Sequence, residues 1–421
     1  MLPALLLSTA LLSTAPSGPR FIEDDYAKAL KAAKASNKLL FVDAWAPWCH
    51  TCVFMREHVL TRPAFAAFEK DVVFAAVDTE KAKNAAFLEK FPVDVWPTLY
   101  FIDPATETLA FKWIGSADEG QMTALLSAAR GKGTPVAEAD ALLARGDAKA
   151  AAEKYQAALK TGGGDSPARA TLSLLSALYL AKQHEACAKT ADEQLKVLTA
   201  PGDRVNGIVW GLGCAMDLPA SPERAKLLAR FVKEGREALK LEDVLADDKS
   251  GLYDALVSER FDAKDGVAAE ALALEWLTFL EAEAAKAPTP AARAVFDPHR
   301  VNAAVAAKHP ERALDALARS EAELPKDYNP PARLAILYRE LGQYDAALAA
   351  VDRALKKCSE GPRKLRLFET KAGVLAKKGD KAGQRQTLLE AVAYAKKLPK
   401  AQRSEQRIAS LEKQAQDAAS P

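Results

Sequence analysis

Residues 43–52 read DAWAPWCHTC, and this stretch decides how the N-terminal part of the chain folds. It overlaps a short, bounded apolar run at residues 38–45, which is typical of a buried parallel strand. A helical pattern follows at residues 50–62, so Cys49 and Cys52 stand where a helix is predicted to begin. Backbone N–H groups and the helix dipole at that position favour a thiolate over a thiol. The pattern predicts thiol–disulfide exchange.

The three ionisable groups around this motif have different predicted roles. Cys49, at the helix N-terminus, is predicted to be the nucleophile. Cys52 lies about one turn deeper and is shielded, so it is predicted to resolve the mixed disulfide. Asp43 lies in the strand beneath the pair and is predicted to be a desolvated carboxylate with a raised pKa. Such a group can accept the proton of Cys52 as that cysteine attacks.

A second short motif, Trp96-Pro97-Thr98, supplies the predicted binding surface. The cis form of an X-Pro bond costs only about 0.5–1 kcal/mol, so Trp96-Pro97 is a suitable place to turn the chain toward the cysteines. A cis proline there exposes the backbone of Trp96 for pairing with an extended substrate segment. Trp48, Trp96, Pro97 and Thr98 are therefore the candidate substrate-binding residues.

Residues 21–130 resemble the thioredoxin family. The matching positions are Asp43, Trp45, Trp48, Cys49, Cys52, Pro97, Thr98 and Gly115. The resemblance implies an α/β thioredoxin-like domain with a redox-active cysteine pair and no cofactor or metal. Residues 57–65 are most similar to the C-terminal domain of the bacterial periplasmic thiol:disulfide interchange reductase, which implies a reductase with disulfide-containing protein substrates and a redox partner.

Two departures from the family pattern limit this comparison. Many thioredoxins carry a lysine on the strand after the motif helix, but residues 71–78 have only apolar residues at the matching position, so Asp43 is expected to act alone. The dipeptide His50-Thr51 is neither the usual reductase pair nor a usual oxidase pair. The redox direction cannot be read from the motif.

The cysteine motif has two other possible interpretations. Zinc binding by the cysteine pair with His50 and His58 is disfavoured, because no second ligand pair follows at the usual distance. His58 is expected at the surface. An inactive thioredoxin fold within a non-enzymatic adaptor or scaffold remains open, because a fold does not guarantee a function.

The charge balance of the chain indicates whether it binds nucleic acid, and its N-terminal segment indicates whether it is exported. The chain of 421 residues has 58 Lys and Arg against 56 Asp and Glu, so it lacks the basic surface expected of a nucleic-acid-binding protein. Residues 2–15 are uncharged and leucine-rich, end in the small residues Ser13-Thr14-Ala15, and are too short to span a bilayer. Residues 1–19 are therefore predicted to be a signal peptide, which predicts a periplasmic or secreted protein with no membrane span.

The remaining cysteines do not form a recognisable scaffold. The chain has five cysteines, and Cys187, Cys214 and Cys358 lie far from the motif. Cys187 and Cys214 fall in neighbouring predicted helices. Whether they pair is left open, because a disulfide requires a Cα separation that the sequence does not give.

The composition changes after a Gly-rich segment at 131–135, which is the predicted linker between a domain at 20–130 and a helical region at 136–421. In that region Pro331, Leu334, Ala335 and Tyr338, followed by Gly342, are similar to a tetratricopeptide repeat. The resemblance is good over residues 298–397 and loose elsewhere. It implies an all-α solenoid with a groove for a protein partner, or alternatively a spacer or dimerisation arm.

The middle of the helical region is predicted to form helix pairs without the signature residues. The predicted helices cover 168–182, 184–198, 204–216 and 222–240. Aspartates also cluster here, at Asp243, Asp247 and Asp248 and at Asp262 and Asp265. Their spacing does not match a calcium loop, so they are predicted to be solvated helix ends.

Overall fold

The computed structural model describes residues 18–128, 135–162, 166–358 and 360–418. Most of the predicted signal peptide at 1–19 and of the predicted linker at 131–135 lies outside the described residues. Pro135 is the exception in the linker, because it is the first residue of a helix.

A five-stranded mixed sheet forms the N-terminal part of the chain. Its strands are β1 (Phe21–Glu23), β2 (Leu39–Trp45), β3 (Val72–Asp78), β4 (Thr98–Asp103) and β5 (Thr108–Ile114). The strand order is β1-β3-β2-β4-β5. Strands β1, β3 and β2 run parallel, whereas β4 is antiparallel to β2 and β5 is antiparallel to β4. The predicted strands at 38–45 and 71–78 are confirmed as β2 and β3, and β2 is central, as expected of a strand whose side chains are apolar on both faces apart from Asp43.

Four α-helices accompany the sheet: α1 (Tyr26–Ser36), α2 (His50–Phe54), α3 (Ala85–Lys90) and α4 (Glu119–Ala128). Short 3-10 helices lie at Pro63–Lys70 and Ala82–Asn84. The Asp25 side chain caps α1 by accepting a hydrogen bond from the Lys28 N–H at 2.9 Å. One sheet face packs on α1 and α3, through buried side chains such as Ala29, Phe87 and Tyr100.

The helix predicted over 50–62 is shorter and less regular than expected. After α2 the chain forms a π-helical turn, Met55–Val59, closed by a hydrogen bond from the Leu60 N–H to the Met55 carbonyl at 2.7 Å. The wider turn keeps Phe54, Met55 and Val59 buried together. The departure from the regular pattern is thus compatible with full burial of these apolar side chains.

The rest of the described chain is helical. Its α-helices are α5 (Pro135–Ala144), α6 (Ala148–Thr161), α7 (Pro167–Leu180), α8 (His184–Gln194), α9 (Pro201–Met216), α10 (Pro222–Ala238), α11 (Ala246–Asp262), α12 (Gly266–Lys286), α13 (Pro290–Ala294), α14 (Asp297–Ala306), α15 (Leu314–Glu323), α16 (Asn329–Glu340), α17 (Tyr344–Lys357), α18 (Arg363–Lys378), α19 (Lys381–Ala395) and α20 (Glu405–Asp417). Short 3-10 helices lie at Pro310–Ala313 and Lys400–Gln402. The four predicted helices correspond to α7, α8, α9 and α10.

Successive helices pack against each other, as expected of stacked helix pairs. Small residues allow the close approach: Ala347, Ala350 and Ala354 of α17 are fully buried. At Gly211 of α9 an added Cβ would lie 2.5 Å from the Phe231 ring of α10. The fold is therefore a thioredoxin-like α/β domain followed by an all-α helical repeat region.

The two parts share one apolar core. Helix α5 packs directly against β5, and the same cluster of buried side chains includes Phe101 and Phe111 of the sheet and Leu143 and Tyr155 of the helices. The predicted linker at 131–135 separates the sheet from the helical region along the chain, but the two parts pack against each other in the folded protein.

A second disulfide, Cys187–Cys214, joins α8 to α9 with a Cα separation of 5.9 Å. The pairing that the sequence left open is therefore present in the structure. Cys358 is free and buried. Within the described residues, no helix is both long and apolar enough to cross a membrane.

Candidate functional site

The cysteine pair lies at the N-terminus of α2, as the sequence predicts. Cys49 is the N-cap residue, and its Sγ accepts a hydrogen bond from the Cys52 N–H at 3.1 Å. The two residues form a disulfide with a Cα separation of 5.2 Å. Cys52 is fully buried, and Cys49 is only 5% exposed. The site therefore has the predicted helix-end geometry, but its first cysteine is far less accessible than a nucleophile on an open surface.

Two indole rings flank the pair. The rings of Trp48 and Trp96 lie 5.2 Å apart. Trp48 donates to the Glu80 carboxylate at 2.8 Å, and Trp96 donates to the Thr79 hydroxyl at 2.9 Å. Both side chains are thus held in place by residues that follow β3.

The loop before β4 completes this side of the site. The Trp96–Pro97 peptide bond is cis, as predicted, and the Pro97 carbonyl accepts from the Gly115 N–H at 3.0 Å. Thr98 is buried, and its hydroxyl donates to the Val95 carbonyl at 2.7 Å. Thr98 therefore shapes the loop from inside rather than facing the cleft.

Asp43 is buried within β2, as predicted, with 1% of its surface exposed. Burial raises the pKa of Asp43 to about 6, although the nearby Arg56 guanidinium lowers it. Its Oδ1 has no hydrogen-bond partner, so this oxygen is free to accept a proton.

The expectation that Asp43 acts alone is wrong. Arg56 Nη1 lies 3.5 Å from Asp43 Oδ2, and Arg56 also binds Glu23 at 2.8 Å. Its guanidinium lies 4.4 Å from the Trp45 ring centroid. The cation comes from the π-helical turn rather than from the neighbouring strand, which is why a search of residues 71–78 does not find it.

The helical region covers the motif, which the sequence does not reveal. The Asn329 side chain donates to the Pro47 carbonyl at 3.0 Å, and the Gln402 side chain donates to the Thr79 carbonyl at 2.7 Å. The Arg363 backbone N–H donates to Glu80 at 2.6 Å. Residues far apart in the helical region thus contact the two segments that flank the cysteine pair.

The dipeptide between the cysteines is part of this contact. His50 Nδ1 lies 3.0 Å from Asp247 Oδ1, and Thr51 donates to Asp247 Oδ2 at 2.6 Å. His299 Nε2 lies 3.2 Å from the same Oδ1. Burial alone would raise the pKa of Asp247, but the charge of His50 and hydrogen bonds from both histidines outweigh it and lower the pKa.

The prediction that Asp247 and Asp248 are solvated is therefore wrong. They are 4% and 6% exposed, because α11 packs against the motif helix. Burial, together with the neighbouring charges of Asp247 and Asp118, raises the pKa of Asp248 to about 7, although the Ser116 hydroxyl, which donates to it at 2.5 Å, lowers it. Asp243, Asp262 and Asp265 are exposed, as predicted.

His58 also departs from its predicted surface position. Its ring stacks on Phe54 at 4.5 Å and lies 6.4 Å from Phe296 in the helical region. It is not a member of the His50, Asp247 and His299 cluster found among the described residues.

A cavity of about 210 Å³ lies between the two parts of the molecule. Its sheet side is formed by Thr51, Trp96 and Gly115, and its helical side includes Asn206 and Trp210. The surface predicted to bind an extended substrate therefore faces a wall of helices.

The comparisons with known proteins agree with this geometry. The thioredoxin-like family profile matches residues 21–104. Thioredoxin H-type from Brassica oleracea is 36% identical over 99 residues, which cover 23% of this chain and 72% of that protein. The chain belongs to the thioredoxin-like family.

Two other relatives match the same domain. Thioredoxin H3 from Arabidopsis thaliana is 38% identical over 82 residues, which are 19% of this chain and 63% of that protein. Thiol:disulfide interchange protein DsbD 2 from Pseudomonas aeruginosa is 30% identical over 107 residues, 25% of this chain and 18% of that protein. The chain spans less than two thirds of the length of these two relatives.

Solved structures were compared as well. A tetratricopeptide repeat protein from Parabacteroides merdae aligns with 67% of this chain and 97% of its own, at 11% identity and a TM-score of 0.39.

Proposed function

We propose that the chain is an exported thiol–disulfide oxidoreductase that works as a reductase, with the helical region engaging protein partners. One observation carries the proposal: the Cys49–Cys52 pair caps α2 beside the Pro97 loop. Asp43 lies buried in the adjacent strand with a raised pKa. Together these groups supply a nucleophile, a resolving thiol and a proton acceptor.

The reaction follows from these roles. In the reduced protein the Cys49 thiolate attacks a substrate disulfide, which forms a mixed disulfide and releases one substrate thiolate. Cys52 then loses its proton to Asp43 and attacks the Cys49 sulfur. This step forms the Cys49–Cys52 disulfide and releases the second substrate thiolate. The cycle is completed by a dithiol electron donor, which reduces Cys49–Cys52 and is itself oxidised to a disulfide.

Two features support export and reduction. The Cys187–Cys214 disulfide, outside the motif, fits an oxidising compartment. The similarity of residues 57–65 to the periplasmic interchange reductase supports the reductase direction. An equilibrium titration in glutathione buffers tests this direction, since 30 mV corresponds to about 1.4 kcal/mol for a two-electron couple. A potential well above that of glutathione would assign an oxidase instead.

A non-enzymatic adaptor is the second candidate, favoured by the 5% exposure of Cys49. An adaptor has no need of a reactive thiol. Rapid alkylation of Cys49 near neutral pH, measured by mass spectrometry on the reduced protein, supports the enzyme. A rate at or below that of an ordinary thiol supports the adaptor.

The division of labour is tested by trapping. Cys52→Ser should accumulate mixed disulfides with protein substrates, because Cys49 attacks and nothing resolves the product. Cys49→Ser should accumulate none. Cys358→Ser is the matched control, since that thiol is buried and outside the motif. Trapping by Cys49→Ser alone would reverse the assignment, and full reductase activity in either single variant would exclude the dithiol mechanism.

A further inference from the structure

The cluster of His50, Asp247 and His299 lies where three distant parts of the chain meet. His50 begins α2, Asp247 is in the first turn of α11, and His299 is in α14. One ligand atom from each lies within 4.8 Å of the others. Asp247 and His299 are buried, and 36% of the His50 side chain is exposed. Such convergence of two imidazoles and one carboxylate is a donor set that proteins use for zinc and related ions.

The spacing of the donor atoms suits one metal ion. Ligands at about 2.0–2.1 Å from a tetrahedral zinc ion lie about 3.3–3.4 Å from each other. Asp247 Oδ1 lies 3.0 Å from His50 Nδ1 and 3.2 Å from His299 Nε2. The two imidazole rings are close as well, with centroids 3.9 Å apart. Both distances to Asp247 Oδ1 are within a few tenths of an ångström of the value expected between two ligands of one zinc ion.

The negative charge of two adjacent buried carboxylates also favours a bound cation. Asp247 and Asp248 are adjacent and buried, and in the described part of the chain neither forms a salt bridge with a lysine or an arginine. Asp248 Oδ2 and His299 Nδ1 are buried polar atoms without a hydrogen-bond partner. A divalent ion beside Asp247 would offset the negative charge that these adjacent buried carboxylates carry when ionised.

The surroundings orient the carboxylate as metal sites commonly do. Thr51 donates to Asp247 Oδ2 at 2.6 Å, which directs Oδ1 toward the two histidines. The His50-Thr51 dipeptide thus provides one ligand and the group that orients a second. This explains its departure from the dipeptides usual in the thioredoxin family.

We propose that His50 Nδ1, Asp247 Oδ1 and His299 Nε2 bind a divalent transition-metal ion of the zinc class. The ion joins the motif helix α2 to α11 and α14 and so fastens the helical region over the cysteine pair. Three protein ligands leave a fourth position for water or another ligand. The cysteines are not ligands of this site, although His50 lies between them in the chain.

The test measures Zn²⁺ binding to the oxidised protein, in which the Cys49–Cys52 disulfide removes the competing thiolates. Titration against a chromophoric chelator should show one equivalent bound. His299→Gln and Asp247→Asn should weaken binding by at least tenfold, and Thr51→Val by about 10–100-fold through loss of the orienting hydrogen bond. His309→Gln, an exposed histidine elsewhere, should leave the affinity unchanged.

A separate control shows whether loss of binding results from misfolding of the variant. His50→Gln replaces the most exposed ligand and should retain the wild-type circular dichroism spectrum while losing binding. Zn²⁺ should raise the melting temperature of the wild-type protein but not of His50→Gln. Absence of stoichiometric binding, or unchanged affinity in folded His50→Gln, would falsify the proposal and leave the cluster as a hydrogen-bond network.

Discussion

At the scale of single residues, Asp43 is the group whose protonation matters most. Burial raises its pKa from 3.8 to about 6. Because the pKa in the folded protein lies above that in the unfolded chain, ionisation of Asp43 opposes folding. The free energy of unfolding therefore falls as the pH rises from about 4 to about 6, and the loss persists at higher pH.

Asp43→Asn should accordingly stabilise the protein at pH 7 and not at pH 4. The gain is on the order of 1–3 kcal/mol, since one pKa unit is about 1.4 kcal/mol and the lost contact with Arg56 offsets part of it. Urea unfolding at both pH values measures the effect. Glu153→Gln, which removes an exposed carboxylate, is the control. A variant that is less stable than wild type at pH 7 contradicts the assignment.

The same variant separates stability from catalysis. Mixed-disulfide formation uses the Cys49 thiolate and should proceed at the wild-type rate in Asp43→Asn. Resolution needs a proton acceptor and should be slower. In the wild-type protein, resolution should slow as the pH falls below about 6, and the variant should lack this dependence. Stopped-flow kinetics measure the rates of mixed-disulfide formation and of its resolution. Equal slowing of the two steps would exclude the proton-accepting role of Asp43.

At the scale of elements, the packing of α5 on β5 connects the two parts of the molecule. Leu143 of α5 is 2% exposed and belongs to the shared core. Leu143→Ala should lower the free energy of unfolding by about 2–5 kcal/mol, because it removes buried methyl groups and leaves a cavity. Leu389→Ala, at a position 40% exposed, should change it by less than about 0.5 kcal/mol.

Denaturant unfolding followed by two signals gives the readout. Tryptophan fluorescence, measured in a protein with Trp210 and Trp276 replaced by phenylalanine, reports on the thioredoxin-like domain, and far-ultraviolet circular dichroism reports mainly on the helices. Both transitions should shift together in Leu143→Ala, because one core serves both parts. A shift confined to the helical signal would show that the parts unfold independently, as expected of domains joined only by a linker.

The sequence predicts these elements better than their arrangement. The strands at 38–45 and 71–78 and the helix pairs of the middle region follow from apolar periodicity, which depends on local spacing. The π-helical turn after α2 does not, because it depends on fitting Phe54 and Met55 into a core assembled from distant residues. Arg56 and Asp247 were missed at the site for the same reason, since their partners are set by tertiary contact.

At the scale of the whole molecule, the helical region forms a cover over the redox site. Asn329 and Gln402 each hold the cover by a hydrogen bond to a backbone carbonyl of the thioredoxin-like domain. Cys49 is 5% exposed and packs with Trp48 and Trp96, which lie beside the helical region. We therefore expect exchange with a substrate to require movement of this part of the molecule.

Replacing both side chains by alanine should favour the open form. Two such hydrogen bonds contribute about 2 kcal/mol together, so alkylation of Cys49 in the reduced Asn329→Ala/Gln402→Ala protein should accelerate roughly tenfold or more. Gln414→Ala, an exposed position on α20, is the control. Alkylation followed by mass spectrometry gives the rate. An unchanged rate would mean that these contacts do not limit access.

Because of the Cys187–Cys214 disulfide, the number of free thiols per chain reports the redox state of the protein. Five cysteines, four of them in two disulfides, leave one thiol per oxidised chain after denaturation. Reduction of the motif alone raises the count to three, and complete reduction raises it to five. A stoichiometry of three, with peptide mapping that places the two new thiols at Cys49 and Cys52, therefore marks the dithiol form of the motif without any assay of activity.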